Sequence, residues 1–116
     1  MQLILRSIGN EFIKSLSFKK FELYQNFWNK FSDVKSPAHA NLIIENEIIN
    51  SCELAKLKLI LEKHNIKLIN IYSNNRETVL SGQSLKINST FLNIKDLKNQ
   101  LPLSPHIYKR TYFTKG

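Results

Sequence analysis

Three histidines, one cysteine and two neighbouring glutamates are the residues of this sequence whose types could do chemistry. His39, His64 and His106 fall in three separate segments, and no two have the i, i+4 spacing that lets one helix face hold a metal. Each is read as a surface or loop histidine. Cys52 falls in the first turn of an expected helix, where the dipole favours an anion; the simpler reading is a small, half-buried residue. Glu45 and Glu47 stand close together after an apolar run. Paired carboxylates can divide acid and base roles in hydrolysis, but two acids in a loop are more simply solvated. No nucleophile, base and oxyanion donor come together. The three glycines, Gly9, Gly82 and Gly116, are too scattered for a dinucleotide fingerprint or a phosphate loop. A single cysteine excludes an internal disulfide and a zinc–thiolate cluster. The expectation is a protein that is not an enzyme and takes no cofactor and no metal.

Charge points to a partner instead. Seventeen Lys and Arg against nine Asp and Glu give +8, and the pI is near 9.7. Such a balance suits nucleic acid, a membrane surface or an acidic protein. It also suits a chain whose composition simply favours Lys, Asn and Ile. Phe18, Phe21, Tyr24, Phe27, Trp28 and Phe31 are interleaved with Lys19, Lys20 and Lys30. A base-stacking platform needs its aromatics exposed on a sheet, whereas these have helical spacing, which favours core.

The elements that must position these residues can be read from periodicity. The 116 residues, 42% hydrophobic, make one domain over 1–116. Gln2 to Ser7 and Glu11 to Leu16 predict a hairpin around Gly9-Asn10, with Phe12 and Leu16 on one face and Ile13 on the other. Phe21, Tyr24, Trp28 and Phe31 predict the buried stripe of an α-helix over 18–31, capped by Ser17 and stopped before Ser36-Pro37. Leu23 and Phe27 lie beside that stripe, as a wider core face or as a partly exposed apolar edge. Lys35 to Ala40 reads as loop. Leu42, Ile43 and Ile44 predict a strand buried on both faces. Asn50 to Glu53 predicts a capping box, followed by a helix with Leu54, Leu57, Ile60 and Leu61 inward and a stop at Asn65. Ile66 to Tyr72 reads as a second buried strand, Arg76 to Leu85 as a short helix, Ile94 to Leu101 as a helical turn or two, and His106 to Thr114 as a last strand. Trp28, Leu57 and Ile69 are expected to pack together. The fold class is α/β: a hairpin, then alternating helices and strands forming a mostly parallel sheet with helices packed on it. No apolar run is long enough to span a bilayer, and Met1-Gln2 leads directly into a strand without a leader. These features predict a soluble, reduced, cytoplasmic domain.

The segment from Asn41 to Ile87 resembles the N-terminal domains of the septum-site determining MinC family, particularly its cyanobacterial branch. The resemblance is carried by Leu68-Ile69-Asn70-Ile71-Tyr72-Ser73-Asn74-Asn75-Arg76-Glu77-Thr78-Val79. In that branch a buried strand ends in tyrosine, followed by a small polar loop and an arginine, glutamine and threonine that open an alanine-rich helix. Tyr72, Arg76 and Thr78 match. Glu77 replaces the glutamine, Ser81-Gly82 the small alanines, Asn75 an arginine and Lys86 a helix-ending glycine. Glu53 to Leu57 is similar to the family's leucine-rich second helix, and Pro105 to Thr111 to the strand that leads out of the domain. The arginine-serine-glycine junction and the glycine-rich β-helical C-terminal domain are absent, so the resemblance implies an N-terminal half whose chain would continue beyond Gly116.

The resemblance further implies an architecture like the anti-sigma-factor antagonists, and a domain that binds the tubulin-like protein FtsZ and antagonises its polymerisation. Contact with MinD is implied only through the missing C-terminal domain. No nucleic acid, membrane insertion or cofactor is implied, and the isolated domain would be a monomer or a weak dimer. The expected partner-binding surface is Lys19, Lys20, Leu23, Phe27 and Lys30, joined by Arg76: an apolar anchor in a basic rim that faces an acidic partner. Two alternatives remain open at this level, a basic nucleic-acid-binding domain and an antagonist-type domain that binds a regulatory protein through a serine such as Ser51 or Ser73.

Overall fold

The computed structural model describes residues 1–100. The N-terminal hairpin forms as its pattern predicts, from β1 (Gln2–Ser7) and β2 (Phe12–Ser17). Asn10 supplies the left-handed residue of its three-residue turn, at φ 71°. Among the described residues of this glycine-poor chain, three of the four non-glycine residues with positive φ are asparagines, a type that tolerates that region well. One expected feature is corrected. A register shift opposite Leu5 and Arg6 inserts Ile13 as an extra residue. The bulge sends Phe12 to one face of the sheet while Ile13 and Leu16 pack on the other.

The middle of the chain follows its pattern closely. β3 (Ala38–Ile44) starts inside the expected loop and buries Leu42, Ile43 and Ile44 together. Asn50 and Glu53 close a reciprocal capping box on α1 (Ser51–Lys63), which turns Leu54, Leu57, Ile60 and Leu61 inward. Asn65, at φ 59°, ends the turn after it. β4 (Ile66–Ser73) and α2 (Arg76–Ser84, capped by Asn75) follow. Next comes β5 (Asn88–Phe91), a strand the sequence pattern did not reveal, and then α3 (Ile94–Asn99). The expected strand over 106–114 lies outside the described residues.

The sheet order is β2-β1-β3-β4-β5. β1 is antiparallel to both β2 and β3, while β3, β4 and β5 run parallel. The sheet is therefore mixed, not mostly parallel: the hairpin occupies one side, and the crossovers α1 and α2 build the other. The main core lies between the helices and one sheet face. A smaller cluster of Ile4, Ile43 and Leu97, with Phe12, Tyr72 and Leu92 against it, lies on the other face. Across β3, β4 and β5 the side chain of Asn70 donates to Asn41 at 2.9 Å, and that of Asn88 donates to Asn70 at 2.6 Å. The loops after β3 and β4 are tied together: buried Thr78 accepts from the Ile49 N–H at 3.0 Å and donates to the Glu47 carbonyl at 3.2 Å. Gly82 lets α2 sit close on the sheet, since a Cβ there would come within 2.0 Å of Ser89 Oγ. Among the described residues no helix is long and apolar enough to cross a membrane.

Candidate functional site

The aromatic segment between β2 and β3 departs most from expectation. It forms two short 3-10 helices, Lys20–Tyr24 and Phe27–Phe31, instead of one α-helix. Gln25 and Asn26 break the run between them. The inward residues are Phe18, Leu23, Phe27 and Phe31. Their rings form a chain: Phe18 to Phe27 at 4.7 Å, Phe27 to Phe31 edge-on at 5.3 Å, and Phe31 to His64 at 5.7 Å. Of the predicted buried stripe, Phe31 is inward as expected, whereas the other three residues point outward. Phe21, Tyr24 and Trp28 are 61%, 63% and 50% exposed. Trp28 consequently does not pack with Leu57 and Ile69; Leu57 is in the core and Ile69 is half-buried. The segment has apolar residues on two faces, so periodicity alone could not choose between them. Tighter 3-10 turns then changed the phase.

This reversal rearranges the expected partner-binding surface. Leu23 and Phe27, each about 1% exposed, belong to the core and cannot serve as an apolar anchor. Their place at the surface is taken by Phe21, Tyr24 and Trp28. Lys19 is exposed, and its backbone N–H donates to Glu22 Oε2 at 2.6 Å. Lys20 Nζ reaches the Ile48 carbonyl at 3.0 Å and Glu53 at 3.7 Å. Lys30 Nζ lies 3.4 Å from Glu22. The Lys19 N–H foremost, with Lys30 adding to it, holds the Glu22 carboxyl below the usual carboxylate range. Lys56 of α1, which the sequence did not single out, stands 5.2 Å above the Tyr24 ring. Beside the patch, Glu22, Gln25, Asn26, Phe27 and Lys30 line a shallow cleft of about 460 Å3. Arg76 does not join this surface. It stacks on Phe91 of β5 at 4.4 Å, at the sheet edge opposite β2.

The residues first considered for chemistry stay apart. His39 is on β3 and His64 caps α1; His106 lies outside the described residues. Cys52 is exposed, not half-buried. Glu45 is exposed, whereas Glu47 lies 3.6 Å from the Met1 amine. Among the described residues no three His, Cys, Asp or Glu side chains gather as a metal site would require. What the geometry offers is three exposed aromatics, with Lys56 over one of them, on a segment anchored by a ring cluster beneath.

No family model matches the chain, and no solved structure matches it. A curated relative, the probable septum site-determining protein MinC of Prochlorococcus marinus subsp. pastoris, is 72% identical over all 116 residues. The chain spans about half the length of that relative, 53%. Identity at this level along the whole chain makes it closely similar, from end to end, to about half of a septum site-determining MinC protein.

Proposed function

We propose that this chain is the N-terminal half of a MinC protein, and that it inhibits cell division by binding FtsZ and antagonising its assembly. The supporting observation is the exposure of Phe21, Tyr24 and Trp28 on the segment that also carries Lys19, Lys20 and Lys30, with Lys56 over the Tyr24 ring. Large aromatics are not left at a surface without a hydrophobic cost, and those in a charged rim are the usual anchors of protein interfaces. The lysines speed encounter with an acidic partner, and the rings supply the affinity. In this reading the half acts in the cytoplasm without catalysis or cofactor, and contact with MinD belongs to the other half of the protein.

Light scattering of polymerising FtsZ tests this directly. Trp28→Ser should weaken inhibition about 30-fold or more, the effect of losing an aromatic anchor worth about 2 kcal/mol. Lys19→Glu with Lys20→Glu should slow onset and remove the salt dependence. Full inhibition by a folded Trp28→Ser protein would exclude this surface. Exposed aromatics among lysines also have the composition of a single-strand nucleic-acid platform. Titration with a labelled oligonucleotide separates the two: phosphate contacts on a single strand make log affinity fall with log salt by about 0.7 per contact. The FtsZ reading expects no binding there at physiological salt.

A further inference from the structure

The outer edge of β5 lies beside a groove that none of the foregoing uses. Leu92, just past β5, donates its N–H to the Ser73 carbonyl at 2.9 Å. Strand alternation then turns the N–H and C=O of Asn88 and Thr90 towards β4, and those of Ser89 and Phe91 outwards. Among the described residues β5 pairs with β4 alone. Arg76, Val79, Leu80, Gln83, Ser89 and Phe91 line a groove of about 420 Å3 between α2 and this edge. Leu80 and Phe91 are exposed apolar side chains. Arg76 stands over Phe91 and makes no ion pair among the described residues. The edge already draws an amide: Gln83 Nε2 reaches the Ser89 carbonyl at 3.5 Å, a long contact.

We infer that this groove is a docking site for an extended peptide segment that carries a carboxylate and adds as a strand to β5. Three complementarities select that occupant. The outward Ser89 and Phe91 groups offer a short ladder of backbone hydrogen bonds, and a peptide N–H at ordinary distance replaces the long Gln83 contact. Alternate side chains of an added strand point towards α2, where Leu80 and Phe91 provide apolar contact. At the Phe91 end the Arg76 guanidinium meets the carboxylate in the planar fork that arginine prefers. The site is distinct from the aromatic patch on the β2 side, and it does not depend on what that patch binds.

The test uses the 116-residue chain and a fluorescein-labelled heptapeptide of alternating valine and aspartate. Fluorescence anisotropy should show saturable binding. Amide resonances of Ser89, Thr90 and Phe91 should shift on titration. Arg76→Glu and Leu80→Asp both alter exposed side chains, so the fold is retained, and each should weaken binding at least tenfold. A peptide N-methylated at alternate residues should lose binding altogether, because strand addition needs its N–H groups. Equal binding of the N-methylated peptide, or no binding up to about millimolar peptide, the weak limit of specific recognition, overturns the inference. Slow hydrogen exchange of the Ser89 and Phe91 amides in the free chain would show the edge already covered and would likewise overturn it. So would a concentration-dependent dimer that Leu80→Asp abolishes and the peptide fails to compete, since the groove would then belong to a second copy.

Discussion

Phe21→Ala and Phe27→Ala remove the same side chain from two places in one short segment, and the structure gives them opposite consequences. Phe27 is about 1% exposed, between the Phe18 and Phe31 rings. Truncating a buried phenylalanine costs about 3–5 kcal/mol. That is a large share of the roughly 5–15 kcal/mol stability of a domain. At an unfolding entropy of about 2.1 cal/mol/K per residue, it lowers the Tm by about 12–20 °C. Phe21 is 61% exposed. It buries roughly 80 Å2, worth at most about 2 kcal/mol at 25 cal/mol per Å2. Alanine keeps part of that contact, which leaves a loss of about 1 kcal/mol and a Tm shift of about 4 °C. Thermal unfolding followed by circular dichroism reads both. In FtsZ light scattering the ranking should invert: Phe21→Ala loses inhibition while folded, and Phe27→Ala at a temperature where it is folded keeps it. Equal Tm losses, or a larger loss for Phe21→Ala, would refute the placement of this segment and restore a single α-helix with Phe21 inward.

Gly82→Ala should destabilise by about 1–3 kcal/mol, as overpacking does, because the new Cβ meets Ser89 Oγ at 2.0 Å and Ile71 Cδ1 at 3.0 Å; a denaturant midpoint measures it, and the double change with Ser89→Gly should recover most of the loss. Thr78→Val keeps the shape but strands the Ile49 N–H and the Glu47 carbonyl, so it should cost about 1–3 kcal/mol by chemical denaturation. Glu22 and Asp33 both have lowered carboxyl pKa values, Glu22 chiefly through the Lys19 N–H and Asp33 chiefly through the Lys14 ammonium at 3.0 Å. Their contribution is present above the usual carboxylate range and is lost as pH falls through the lowered values. The Tm should therefore decline on the acid side of about pH 4, and less steeply in Glu22→Gln; Asp33 is exposed and Glu22 only half-buried, so solvent screens both and the difference is small.

The elements most legible in the sequence were those with one dominant face. Leu54, Leu57 and Leu61 with the Asn50–Glu53 box defined α1, and Leu42 to Ile44 defined a strand covered on both sides. β5 escaped notice because Asn88, Ser89, Thr90 and Phe91 form a short polar edge strand with a single buried residue, Ser89. Which residues of the aromatic segment reach the surface was misread. Lysines and aromatics do mark the segment, but Leu23 and Phe27 compete with Phe21, Tyr24 and Trp28 for the same core. The deciding contacts, rings closing on Phe18 and His64, are set by tertiary packing and not by spacing. Family resemblance carried what periodicity could not, the relation to MinC.

The interior position of β1, between β2 and β3, imposes an order on synthesis. β1 leaves the ribosome well before its second neighbour, β3, which ends at Ile44. At about 5–20 residues per second that edge waits a few seconds for its partner. Until then the hairpin, marginal by itself, presents Leu3, Ile4 and Leu5 beside an open row of backbone donors and acceptors. The nascent chain is therefore most vulnerable to strand pairing with its neighbours on a polysome before β3 appears. Slowing translation between the codons of Ser17 and Ala38 should raise the insoluble fraction, whereas slowing it after Ile44 should not.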